Sequence, residues 1–217
     1  ARIDPHSYTD PTQGTITRLH WRLVVDFPLA RLRGVAELEL DEANGGPLDL
    51  DARELLIDSV TVDGAPVAWK LHAPEKGQEY MGSRLCIERP RNTRRVRIEY
   101  RTTPGASALQ WLAPENTAGG EHPYLFSQCQ PIHARSMVPV QDSPKVRFAF
   151  DAEVDVADPL VAVFAAAPGE RCAGETGRSI FRFKMPQPIP AYLLALAVGD
   201  ITHKDLGPRT RVYAEPS

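Results

Sequence analysis

Apolar and polar residues alternate one by one over several stretches of this chain, and this pattern constrains the fold more than any other feature. Between Leu19 and Phe27 every odd position is apolar, while histidine, arginine and aspartate occupy three of the four even positions. Similar alternation recurs over residues 32–40, 94–101 and 145–156. Because successive side chains of a β-strand point to opposite faces, each stretch predicts a half-buried strand.

The sequence contains no pattern that predicts a helix. The 217 residues include 20 prolines, which interrupt helices and favour short strands joined by turns. No clear helical period extends over ten residues, and the apolar run 192–198 predicts a strand buried on both faces. We therefore expect a single all-β domain over residues 1–217, built as a sandwich or from strongly curved antiparallel sheets.

Composition excludes several classes of protein. The formal net charge is -3 and no stripe of lysine and arginine is interleaved with aromatic residues, so nucleic acid is not an expected partner. No apolar run approaches the roughly 18 residues that a membrane span needs, and the start shows no signal-peptide pattern. Three widely spaced cysteines argue against a disulfide framework and favour a reducing compartment, the cytoplasm.

The stretch from His122 to Pro144 contains polar residues whose placement suggests a role beyond solvation. Gln128 and Gln130 follow the apolar run 124–126, two positions apart. If this run is extended, both amides face the same side and offer neutral donors and acceptors together, which suits binding a peptide end or backbone. The alternative is that both glutamines simply face solvent.

Other polar residues in the chain have simpler explanations. We interpret Arg135 and Asp142 as a buried ion pair or turn anchor that supports the glutamine strand, although both residue types also occur in catalysis. The acidic pair Asp49 and Asp51 is expected to lie on a strand edge or turn, where solvation accounts for it.

Recognisable catalytic machinery is absent from the sequence. No His-Glu-x-x-His pair, Gly-x-Ser-x-Gly elbow or phosphate-binding loop occurs. His122, Cys129 and His133 lie close together, but their spacing matches no established zinc-ligand pattern. We therefore predict no catalytic residue and no metal ligand in this chain.

Several ordered motifs resemble one known family. Gln128-x-Gln130 is followed by Ala134-Arg135 and then by Pro139-x-Gln-Asp-x-Pro144, and this order is similar to the amino-terminal domain of M1-family zinc aminopeptidases, in particular the branch that contains leukotriene A4 hydrolase. The resemblance continues through four further segments across nearly the whole chain: Asp4 to Tyr8, Ala108 to Leu112, Ile189 to Leu194 and Gly207 to Thr210.

The resemblance implies a saddle-like antiparallel β domain that caps a separate catalytic domain of the same polypeptide. In that family the position matching Gln130 helps to hold the free α-ammonium of the peptide substrate, and the position matching Gln128 lines the same pocket. Many members have glutamate where Gln130 stands, so an amide here implies a less strict demand for a cationic amino terminus. The zinc ion and its ligands are expected downstream, in the parent enzyme, and the fragment alone is expected to be inactive.

Two alternatives stay open on the sequence alone. A free-standing β-sandwich that binds protein or carbohydrate would be favoured by an exposed aromatic platform at Trp69 or Trp111. An exposed apolar patch beside Gln128 and Gln130 would instead favour an interdomain face. An M1 relative with a degenerate active site, acting as a scaffold, is the third possibility.

Overall fold

A computed structural model describes residues 4–41 and 45–216, and within them the chain forms seventeen strands. Their bounds are β1 (Ile16–Asp26), β2 (Arg31–Leu40), β3 (Gly46–Ala52), β4 (Leu55–Val62), β5 (Ala65–Pro66), β6 (Trp69–His72), β7 (Ser83–Arg89), β8 (Arg95–Thr102), β9 (Leu109–Leu112), β10 (Tyr124–Ser127), β11 (Phe148–Ala157), β12 (Val161–Phe164), β13 (Ala167–Ala173), β14 (Arg178–Ile189), β15 (Leu196–Gly199), β16 (Thr202–Gly207) and β17 (Thr210–Ala214). In this part of the chain, helical structure is limited to five 3-10 turns of three residues each. The all-β prediction is confirmed.

The largest sheet has eight strands in the order β13-β14-β11-β1-β2-β8-β4-β5. Its strands follow the alternation seen in the sequence, because Leu19, Trp21, Leu23 and Val25 are buried while the residues between them are more exposed. Neighbouring strands run antiparallel except for β1 and β11, which are parallel. The sequence did not predict this parallel pair.

Two smaller sheets share the core with the large one. The four-stranded sheet has the order β12-β15-β10-β9 and the three-stranded sheet the order β3-β7-β6. Leu125 and Val198 of the first and Leu50 and Leu85 of the second are fully buried in one apolar cluster with the large sheet. The hairpin of β16 and β17 stands apart, since every residue of both strands is exposed.

A chain of buried hydrogen bonds connects the large sheet to the irregular segment after β10. The Trp21 indole donates to the Tyr100 hydroxyl at 2.8 Å, and this hydroxyl donates to the Met137 carbonyl at 2.8 Å. The Tyr100 ring lies against Gly34, where a Cβ atom would come within 2.3 Å of it. The segment that follows the glutamines is therefore held directly by the core.

The predicted strand over residues 192–198 is wrong at its first half. Ala191–Leu193 form a 3-10 turn in which Leu193 N–H donates to the Pro190 carbonyl, and β15 begins only at Leu196. The side chain of Leu193 is 43% exposed, so the run is not buried on both faces. No helix in the described part of the chain is long and apolar enough to cross a membrane.

Candidate functional site

Gln128 and Gln130 lie immediately beyond the carboxyl end of β10. The strand ends at Ser127, so the expectation that the glutamines belong to a strand is wrong. Both glutamines are nevertheless exposed, and Cys129 between them is buried. The Gln128 N–H donates to the Ala108 carbonyl at 2.8 Å, which fixes the backbone where it leaves the sheet. The structure thus places both glutamines on the surface just beyond the strand, with Gln130 at a turn.

Gln130 lines a surface groove with a volume of about 610 Å³. Four separate parts of the chain form this groove, and the lining residues are Asp4, His6, Gln130, Pro131, Ile132, Pro144 and Tyr192. Burial opposes ionisation of Asp4, but hydrogen bonds from the His6 N–H and the Ser143 hydroxyl outweigh it and lower the pKa of this carboxyl. The groove therefore combines apolar walls with the Asp4 carboxylate, the Gln130 amide and the side chains of His6 and Tyr192. Gln128 is not among its lining residues.

Arg135 and Asp142 form the predicted buried ion pair. Both side chains are at most 2% exposed, and the Arg135 backbone N–H and Nε donate to Asp142 Oδ2 at 3.2 and 3.1 Å. The two Arg135 terminal nitrogens donate to the Met81 carbonyl at 2.7 Å and the His6 carbonyl at 2.8 Å. This guanidinium therefore joins the segment after Gln130 to the amino-terminal wall of the groove.

Asp51 is a member of the same buried cluster, and the expectation that Asp49 and Asp51 are solvated is wrong. Asp51 is fully buried and Asp49 is 7% exposed, because the amino-terminal segment crosses this face of β3. Asp51 Oδ1 lies 3.6 Å from Arg135 Nη1. Asp49 instead pairs with Arg84 at 3.2 Å, away from the groove. The alternation of apolar and acidic residues along β3 cannot reveal this burial, because the amino-terminal segment that covers the strand is remote from it in sequence.

The two buried carboxyl groups, those of Asp51 and Asp142, share one guanidinium, that of Arg135. The pKa of each carboxyl is raised. Burial raises the pKa of Asp51, although the Arg135 charge and hydrogen bonds from Ser7 and Tyr8 oppose the shift. Burial also raises the pKa of Asp142 to about 6, with the Asp51 charge adding to the increase and Arg135 opposing it. These shifts reflect the cost of placing two negative charges in the interior.

The described residues contain no cluster of metal-ligating side chains. Within residues 4–41 and 45–216, no group of three histidine, cysteine, aspartate or glutamate side chains could hold a metal ion. Burial raises the pKa of the Cys129 thiol to about 12, which disfavours the thiolate that zinc requires. His133 Nδ1 forms a hydrogen bond with the Ser107 hydroxyl at 2.8 Å, and burial lowers the pKa of this imidazole.

One face of the four-stranded sheet turns away from the core, and we call it the outer face. On β10 it carries Tyr124 and Phe126, whereas Leu125 between them is fully buried. Phe126 is 39% exposed and lies opposite Ala197, and Tyr124 lies opposite Leu112. The outer face therefore carries the exposed Phe126 and the half-buried Tyr124 on the strand that leads into Gln128.

The tryptophans named as candidate binding platforms differ in exposure. Trp111 is half-buried and packs edge-on against Phe27, with ring centroids 5.3 Å apart. Trp69 is 37% exposed, but it lies opposite the buried Ile87 at the edge of the three-stranded sheet. Trp111 therefore forms no open platform, whereas Trp69 and Phe126, the latter beside the glutamines, are exposed to a similar degree.

Comparisons with known proteins cover almost the whole chain. Residues 5–193 match the family model of the peptidase M1 N-terminal domain. The chain is 38% identical over 221 residues to leukotriene A-4 hydrolase of Xenopus laevis, covering 98% of this chain and 36% of that protein. It is 40% identical over 218 residues to leucine aminopeptidase 2 of Yarrowia lipolytica, covering 99% of this chain and 32% of that protein.

A solved structure agrees with these sequence matches. Leukotriene A4 hydrolase from Saccharomyces cerevisiae superposes with a TM-score of 0.87 at 32% identity, covering 99% of this chain and 33% of that one. The chain thus spans about a third of the length of these relatives.

Proposed function

Since the chain belongs to the M1 peptidase family, as its amino-terminal domain, we propose that it is the substrate-binding and capping domain of a zinc-dependent aminopeptidase. The whole protein would remove amino-terminal residues from peptides, and a catalytic domain of the same polypeptide would carry the zinc ion. Residues 1–217 would act as one β domain in that arrangement.

We propose that Gln130, with Gln128 beside it, holds the free α-ammonium of the peptide. The observation that carries this role is that Gln130 lines a largely apolar groove of about 610 Å³. An amide oxygen there can accept a hydrogen bond from the ammonium, and the groove walls would shield that bond from water. A hydrogen bond to a charged partner contributes about 1.5 to 3 kcal/mol.

The outer face is the proposed contact with the catalytic domain. It exposes Phe126, flanked by the half-buried Tyr124 and Leu112, next to the glutamines, and an apolar surface in this position suits an interdomain contact. The β16–β17 hairpin suits the same partner, because Leu206 and Val212 are 61% and 46% exposed. A two-stranded hairpin alone is marginally stable, so contact with a second domain would stabilise it.

Gln130→Glu tests the proposed role of the amide in the protein that joins this chain to its catalytic domain. A carboxylate would replace an ion-dipole bond by a charge-assisted one, so the Michaelis constant for peptides with a free amine should fall, by up to about tenfold. Steady-state kinetics on short peptides measures the change. Gln187→Glu, on the exposed part of β14, is the charge-matched control and should leave the kinetics unchanged. No change in any kinetic parameter with Gln130→Glu would remove Gln130 from the site.

A further inference from the structure

The walls of the Gln130 groove come from segments that have little regular structure of their own. Asp4 and His6 belong to the amino-terminal segment, and Gln130 to Ile132 belong to the turn after β10. Neither wall is a strand of a sheet. Their relative position therefore depends on the side-chain contacts behind them.

Behind the direct contact of Asp4 with the Ser143 hydroxyl, the carboxylate of Asp51 bonds both segments from which these walls extend. On the amino-terminal side, Asp51 Oδ1 accepts from the Tyr8 N–H at 2.8 Å and Oδ2 accepts from the Ser7 hydroxyl at 2.6 Å. On the other side, Oδ2 accepts from the Asp142 N–H at 2.8 Å. These bonds are fully buried, so water cannot replace them.

The backbone of Asp51 strengthens the second contact. Its N–H donates to the Val140 carbonyl at 2.9 Å, and the Val140 N–H donates back to the Asp51 carbonyl at 3.2 Å. Arg135, whose side chain also bonds the His6 carbonyl, lies 3.6 Å from the Asp51 carboxylate. Asp51 thus lies where the strand β3, the amino-terminal segment and the segment 135–142 meet.

We propose that Asp51 is a positioning residue for the groove, which holds the amino-terminal wall and the Gln130 turn in fixed relation. Its effect on catalysis rests on the proposed function, since it acts on the peptide only through Gln130. Its effect on the two walls does not depend on that function. The two consequences are tested separately.

The structural consequence is tested by hydrogen exchange with mass spectrometry on the full protein. Asp51→Asn replaces one carboxylate oxygen by an NH₂ group, which donates and cannot accept, so at least one of the buried bonds from Ser7, Tyr8 and Asp142 is lost. Exchange should therefore accelerate by about tenfold in residues 4–9 and 130–144 together. Asp49→Asn, the same change two positions earlier on β3, should leave both segments unchanged. The proposal would be overturned if hydrogen exchange accelerated equally throughout the sheets, or if it did not accelerate in residues 4–9 and 130–144.

The catalytic consequence is tested by a double-mutant cycle. Asp51→Asn should raise the Michaelis constant for a free-amine peptide by about tenfold and change kcat much less. In a Gln130→Ala background the same substitution should add less than about twofold, because its effect passes through Gln130. Effects that multiply would show that Asp51 does not act through Gln130. No effect of Gln130→Ala itself would refute the proposed function and leave the exchange result standing.

Ser7→Ala is the second variant if Asp51→Asn fails to fold. It keeps the buried carboxylate and removes only the hydroxyl that joins it to the amino-terminal wall. Exchange should then accelerate in residues 4–9, and the Michaelis constant should rise by a few fold, about the loss of one hydrogen bond. Unchanged exchange and an unchanged Michaelis constant would overturn the proposal.

Discussion

Asp51 and Asp142 occupy the interior with one guanidinium between them, that of Arg135. If all three groups were ionised, one negative charge would stay uncompensated in a region that excludes water. The cluster is therefore expected to take up a proton near neutral pH, and burial raises the pKa of Asp142 to about 6.

Asp142→Asn should change how stability depends on pH. Because the native pKa of Asp142 lies above its unfolded value, the native state binds more protons between about pH 4 and pH 6, and the contribution of this group is lost as pH rises through 6. The wild type should lose about 1 kcal/mol relative to the variant between pH 5 and pH 7. Urea unfolding at both pH values measures this difference. A difference that is constant with pH would show that Asp142 stays ionised in the folded protein.

Gly199 should tolerate no side chain while Tyr124 lies across it. An added Cβ would come within 2.2 Å of the Tyr124 ring, so Gly199→Ala should destabilise the domain by about 1 to 3 kcal/mol. In a Tyr124→Ala background the ring is gone, and the same substitution should cost close to nothing. Thermal unfolding of the four proteins of this cycle gives the coupling. If the losses of stability from the two substitutions were additive, the Tyr124 ring would not be the group that excludes a side chain at position 199.

At the residue scale, the roles of some site residues could be predicted from the sequence and those of others could not. The pairing of Arg135 with Asp142 could be predicted because the two residues lie close together and flank turn-forming residues. Asp51 could not be identified, because acidic residues that alternate with leucines are typical of a solvent-facing side. Its partners Ser7 and Asp142 lie in distant parts of the chain, and nothing in the local pattern of β3 points to them.

At the element scale, the two faces of β10 have different roles. Leu125→Ala removes a fully buried side chain and should cost about 2 to 5 kcal/mol. Phe126→Ala, at a position 39% exposed, should cost less than about 1 kcal/mol in the chain of 217 residues. Urea unfolding of both variants compares them directly. Similar losses would mean that Phe126 belongs to the core and would argue against a docking role for the outer face.

Strands were predictable where their burial follows from local alternation. The stretches 19–27, 32–40 and 94–101 form β1, β2 and β8 with the predicted faces inward. Residues 192–195 were mistaken for strand because their apolar composition does not reveal that Pro190 and Ala191 begin a turn, or that Leu193 is left exposed. Composition alone cannot distinguish an apolar core segment from an apolar segment that is partly exposed.

For the whole molecule, the chain of 217 residues should be catalytically inert. Purified after exposure to zinc and dialysis, it should retain no stoichiometric metal and should not cleave aminoacyl arylamides, since its described residues offer no group of three metal ligands. Elemental analysis and a chromogenic assay measure both properties, with a chelator-treated sample as control. Robust turnover that the chelator abolishes would contradict the assignment of the zinc site to another domain.

The parallel pairing of β1 with β11 determines the order in which this domain can form on the ribosome. Residues 18–24 pair with residues 149–155, so about 130 residues separate the two partners in the chain. At 5 to 20 residues per second, on the order of ten seconds pass between the synthesis of β1 and that of its parallel neighbour. During that interval β2 can pair with one edge of β1 while the other edge stays open. A nascent chain of this protein therefore displays an unpaired central strand, the kind of edge that chaperones protect from aggregation.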